Sequence, residues 1–193
     1  MPVITALRER PRGRVEIDLD GAPWRLVPAD AVVRASLVVG RALDREAARS
    51  LGRELRRAEA LGVATRALRY RDLSRRRLEE RLERRGAKAE ARADALAALE
   101  RAGLVDDARV ASAMARSLSE RGYGDAAIRF ALERDGLAAE LVVEALAGLE
   151  PEPDRARELA ERRGQGGKTL RWLASRGFDA STLEDLAGFA EEV

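Results

Sequence analysis

The sequence predicts a mainly α protein: tandem three-helix repeats in an elongated, curved stack, with a small N-terminal α+β module of a β-hairpin plus helices. Three observations lead there. Hydrophobic residues make up 46% of the 193 residues but aromatics only 4%, so the apolar content is mostly Ala, Leu and Val, which favours helix. A unit Leu-x-x-x-Gly recurs as Leu82…Gly86, Leu132…Gly136 and Leu173…Gly177. Strand-like alternation, by contrast, lies near the N-terminus.

Val15, Ile17 and Leu19 alternate with Glu16 and Asp18, and Asp20-Gly21 supplies a tight turn before Trp24 and Leu26, which reads as a β-hairpin. Val3 to Leu7 adds a third strand through Pro11-Arg12-Gly13. Pro28 and Asp30 start a short helix reaching about Leu37, and Asp44 caps a longer one from Arg45 to about Leu61. Ala47, Ala48, Leu51 and Leu55 form the apolar stripe of that helix, and Gly40 and Gly62 stand where the two helices should stop. Residues 1–62 are therefore expected to form the α+β module.

The three Leu-x-x-x-Gly units then define repeats over 63–106, 107–150 and 151–193. Ten and thirteen residues after the first two glycines come Leu96 with Leu99 and Leu146 with Leu149; the third copy is one residue tighter, with Leu186 and Phe189. Leu78 and Ile128 stand eight residues before their glycines, whereas the third copy has Thr169 there and shifts its apolar contact to Leu170. Ser74 is expected to cap the helix ending before Gly86, Asp106 or Asp107 the next, Asp125 the one ending near Gly136, and Ser181 with Glu184 to form a capping box. Pro151 and Pro153 break the chain between the last two repeats.

Candidate chemistry is sparse. The chain has neither Cys nor His, which removes thiol nucleophiles, the commonest general base and the commonest transition-metal ligands. Asp106-Asp107 reads as a helix start. Gly164-Gln165-Gly166-Gly167-Lys168-Thr169 fails as a phosphate loop, because the spacing requires Gly where Arg162 stands; an inter-helix turn fits better. No catalytic, cofactor or metal residues are assigned. With no long apolar run and no secretory leader, the expectation is a cytoplasmic monomer away from membranes.

Charge is blocked along the chain although the net is only +2. Arg66 to Arg92 carries eleven basic and five acidic residues, and Arg162 to Arg176 five basic and none acidic, while residues 137–161 and 178–193 are acidic. Basic blocks of this size suit a phosphate backbone or an acidic protein face. The candidate contacts are Arg75, Arg76, Arg81, Arg84 and Arg85, then Arg116, Arg121 and Arg129, and Lys168 with Arg171. Tyr70, set among arginines, is expected in the core.

Several segments resemble the RecX family. Gly103-Leu104-Val105-Asp106-Asp107-Ala108-Arg109-Val110-Ala111 is similar to its "GL-hydrophobic-DD…A" signature, and Arg121-Gly122-Tyr123-Gly124…Ile128…Leu132…Gly136 to its "R-x-G-x-G…I…L…G" segment. Ala67 to Arg76, with Leu78, Leu82 and Gly86, resembles the first repeat, and Arg176-Gly177-Phe178 the "RGF" near the family's end. Val110 replaces a usual aromatic, and Ala87 a more apolar residue. The resemblance, over about residues 64–189, implies a non-enzymatic regulator that binds the RecA recombinase filament on single-stranded DNA and limits its assembly and ATPase. Single-stranded or double-stranded DNA is then a further partner through the basic blocks. A sequence-independent DNA-binding module acting without RecA is the alternative.

Overall fold

A computed structural model of the chain describes residues 1–164 and 166–191, with side chains through residue 188. Strands β1 (Ile4–Arg10), β2 (Arg14–Leu19) and β3 (Ala22–Pro28) form an antiparallel sheet in the order β1-β2-β3. Asp20 and Gly21 both have positive φ, the conformation that two-residue hairpin loops demand. The expected three-stranded sheet is present. One face of it, with Ile4, Val15, Ile17 and Val27, packs on Ala31, Val32, Leu37, Ala47 and Leu51. These last residues come from α1 (Ala29–Arg34), the turn after it and the start of α2 (Arg45–Leu68).

Helix α2 departs from expectation at Gly62, which lies inside it. A mid-helix glycine costs about 1 kcal/mol relative to alanine. Ala60, Ala64 and Ala67 are buried on one face around that point, and their burial keeps the helix going. Gly40 does take φ +88°, but it serves the bridge between Val3 and Ala42, and α1 stops earlier, at Arg34. Ala48 is exposed and takes no part in the apolar stripe. Tyr70, expected inside, is 89% exposed.

The remaining helices are α3 (Arg75–Arg84), α4 (Ala89–Arg101), α5 (Asp107–Glu120), α6 (Asp125–Arg134), α7 (Ala139–Ala147), α8 (Glu152–Arg163), α9 (Gly167–Ser175) and α10 (Ala180–Glu191). Helices α5, α6 and α7 enclose Val110, Ala111, Ala115, Ile128, Leu132 and Val142; α8, α9 and α10 enclose Ala156, Leu173 and Phe178. Leu82, Leu132 and Leu173 are fully buried, and Gly86, Gly136 and Gly177 follow in the left-handed conformation that closes each helix. The recurrent Leu-x-x-x-Gly is therefore one buried anchor and one helix stop. The chain divides into two compact units: residues 1–71 with 78–104, and residues 72–77 with 105–193.

The caps are partly as expected. Asp44 and Asp106 accept amide protons from Ala47 and Arg109, and Ser74 accepts from Arg77 at 3.3 Å. Asp125, however, is the first residue of α6 behind a Gly124 cap, and Asp179 rather than Ser181 caps α10. The Ser181 hydroxyl and amide both donate to the Asp179 carboxylate and hold its pKa below the ordinary range. Thr169 keeps the third copy's buried position because its hydroxyl donates to the Gly164 carbonyl at 2.6 Å. Gln165 and the side chain of Phe189 lie outside the described residues.

Asp106→Ala should lower stability by about 1 kcal/mol, the usual worth of an N-cap, as read from the urea midpoint at unchanged m. Because the Asp179 pKa is depressed on folding, its contribution should persist above the unfolded carboxylate range and vanish as pH falls through the folded value. The Ser181 amide shift, followed by NMR, should titrate with a midpoint below that of an unstructured Asp.

Candidate protein and nucleic-acid interface

Two junctions in the second unit share one construction. The first residue of an incoming second helix lays its backbone N–H on a carboxylate from the next trio's first helix. Arg75 donates to Asp107 at 2.7 Å, and Asp125 donates to Glu152 at 2.6 Å. Each carboxylate stands four residues before a buried alanine, Ala111 or Ala156. A helix N-terminus carries partial positive charge, so an acid there satisfies an orphan donor and the dipole together.

The helix stop of the receiving trio completes each seat. In one, the Ser74 hydroxyl donates to the Asp135 carbonyl at 2.8 Å, Arg77 pairs with Asp135 at 2.7 Å, and the stem of Arg76 lies where a side chain on Gly136 would be. In the other, Gly124 and Ala126 donate to the carbonyls of Arg176 and Gly177 at 3.0 and 3.2 Å. Gly124 there meets the Gly177 peptide so closely that no Cβ fits. Glu152 is buried and also accepts from Asp179 and Thr182. Arg155, likewise buried, pairs with Asp125 and donates to the Tyr123 carbonyl at 3.0 Å.

Over the second junction runs an alternating stack of cations and rings. The Arg121 guanidinium stands 5.4 Å from the Tyr123 centroid, Arg176 stands 4.6 Å from Tyr123 and 5.0 Å from Trp172, and Arg163 stands 4.0 Å from Trp172. Among the described residues no carboxylate pairs with Arg121, Arg163 or Arg176. Their charge is held by π faces and stays available to an anion.

The ten basic residues singled out in the sequence are all exposed. Arg81, Arg84 and Arg85 belong to the first unit; Arg75, Arg76, Arg116, Arg121, Arg129, Lys168 and Arg171 belong to the second. Arg121 joins the ring stack, and Arg76 is partly engaged at Gly136. Sequence reasoning missed Arg163 and Arg176 as ring partners, although Arg162 to Arg176 was marked as a basic block. It also missed Asp107 and Glu152 as seat carboxylates. Their shared place four residues before a small apolar residue was the available signal.

Among the described residues no group of His, Cys, Asp and Glu has the makings of a metal site, and no helix is long and apolar enough to cross a membrane. Fold and surface together define a helical-repeat protein with a small sheet module and exposed cationic faces. A family model described as "RecX, second three-helix domain" matches residues 106–146. The chain is 33% identical to the regulatory protein RecX of Xanthomonas oryzae pv. oryzae over 76% of its own length and 98% of the relative's. It is 41% identical to that of Chromohalobacter salexigens over 67% and 91%. The chain belongs to the RecX family of regulatory proteins. A crystal structure of a regulatory protein RecX has the same fold, with TM-score 0.83 and 22% identity over 96% of this chain and 98% of the other. RecX from Lactobacillus salivarius gives 0.62 and 16% over 72% and 98%.

Glu152→Ala should cost about 2–3 kcal/mol in chemical denaturation, because it strips a charged acceptor from the buried amide of Asp125. Gly124→Ala, which forces a methyl group onto the Gly177 peptide, should cost about 1–3 kcal/mol by the same measurement.

Proposed function

We propose that this protein binds the RecA recombinase filament on single-stranded DNA in the cytoplasm and restrains its assembly, ATPase and recombinase activity, without catalysis of its own. The observation that carries this reading is membership of the RecX regulatory family along most of the chain. The fold supports it: chained three-helix units offer separate exposed faces that can meet successive protomers of a filament. The contacts proposed are Arg75, Arg76, Arg81 and Arg84 of α3 with Arg85 just after it, Arg116, Arg121 and Arg129, and Lys168 with Arg171 on α9. Their exposure puts their charge where it can steer association, with a salt dependence that follows. The working state is taken as a monomer.

RecA ATPase on single-stranded DNA, measured with the protein well below one copy per RecA, is the direct test. Inhibition at substoichiometric dose is expected. A sequence-independent DNA-binding module would inhibit only as it coats DNA, and a passive scaffold not at all. Arg76→Glu with Arg81→Glu and Arg84→Glu should weaken inhibition about tenfold or more, the equivalent of about 1.4 kcal/mol. Unchanged inhibition at equal thermal stability would remove α3 from the contact.

A further inference from the structure

The first unit contains the same seat in an open form. Counted from the buried alanines Ala60, Ala111 and Ala156, the position of the junction carboxylates Asp107 and Glu152 is held in α2 by Arg56. Gly86 matches Gly136 and Gly177, yet the space where its side chain would stand is clear for 4 Å. What the other seats fill with a helix N-terminus is here a cavity of about 140 Å³, walled by Ala60, Val63 and Leu82 and rimmed by Arg56, Arg85 and Lys88, with Glu59 beside them. A cation at position 56 cannot accept a backbone N–H and repels the positive end of a helix. This seat therefore cannot take a helix end as the other two do.

The cavity is not isolated. Arg45, Arg49, Arg53 and Arg56 line a second, more open depression along α2, floored by Ala48 and Gly52, with Glu90 of α4 as its one acidic wall residue. Four residues of helix rise about 6 Å, so these arginines form a row about 16 Å long on one face. Among the described residues none of the four, nor Arg85 or Lys88, has a carboxylate partner. Ala47, Leu51 and Leu55 of α2 are turned into the core, so that only small residues stand between the arginines and no large greasy stripe faces a lipid surface there. A regular row of unpaired cations ending in a small anion-sized cavity fits a charged polymer with evenly spaced groups.

We infer that the trench on α2 and the cavity at Gly86 bind the phosphate backbone of a nucleic-acid strand, a site separate from the ten cations assigned above except at Arg85. Small residues between the arginines let the strand lie close. No ring lines either depression, so the contact is to phosphates and indifferent to base sequence.

The test uses the whole chain without RecA, so it stands apart from the filament reading. Anisotropy of a fluorescein-labelled oligothymidine of about twenty nucleotides is recorded from about 50 to about 200 mM salt. Arg53→Gln with Arg56→Gln should weaken binding about tenfold and reduce the log–log salt slope by about 1.4, since a single strand releases about 0.7 counterion per phosphate contact. Lys88→Gln should give a smaller loss in the same direction. A control, Arg12→Gln with Arg25→Gln in the sheet module, removes the same charge elsewhere and should change affinity less than about twofold. An equal loss in that control, or an unchanged slope in the trench variant, overturns the site. Polyglutamate displacing the probe as well as unlabelled oligothymidine does would reassign the trench to an acidic polypeptide and overturn it too.

Discussion

A single constraint organises the helical part of the chain: a helix that starts inside a protein exposes amide protons that must find an acceptor. Here the acceptor is supplied by the neighbouring trio. Asp107 receives Arg75, and Glu152 receives Asp125, at 2.7 and 2.6 Å. The same N-termini meet the spent carbonyls of the helix stops at Asp135 and Arg176. Two sets of orphan groups, one at each kind of helix end, thus satisfy each other across the joint. The left-handed glycines belong to this arrangement as much as the acids do. A Cβ on Gly177 would stand only 2.7 Å from the Cβ and the amide nitrogen of Ala127, which leaves no room for a side chain.

The consequence for the arginines is a division of labour. Some are engaged by acids and carbonyls at the joints: Arg155 is buried between Asp125 and the Tyr123 carbonyl, and Arg77 grips Asp135. Others, over the second junction, are steadied by rings, as with Arg176 between Tyr123 and Trp172. A ring face holds a guanidinium in place without cancelling its charge, which an ion pair would do. Such positions combine order with residual charge, the pairing a polyanion or acidic protein surface requires. The small net charge of the chain conceals this, because acids and cations lie in separate blocks along the sequence.

Much of this was legible in the residues. The hairpin announced itself through alternation and Asp20-Gly21, and the repeat through Leu-x-x-x-Gly, because both signals are local. The misses share a cause, which is that tertiary context outweighed a local preference. Gly62 was expected to end α2, but burial of Ala60 and Ala64 carries the helix past it. Tyr70 was assigned to the core on its chemistry, whereas the loop between α2 and α3 leaves it outside. Asp125 has the right residue type for a cap, yet Gly124 takes that place because only glycine can sit against Gly177. For Asp107 and Glu152 the place four residues before a buried alanine marks the position, but their role needed knowledge of which helix end arrives above them.

A repeat architecture also has to end. Each seat invites another helix N-terminus, and an unmodified seat on the first trio would invite one from a second molecule. Arg56 carries the opposite sign from the residue that the other seats use as acceptor. The residue that denies the first trio's seat an acceptor is therefore the same one that rims its cavity, so the loss of a helix seat and the capacity to take an anion follow from one charge at one helical position.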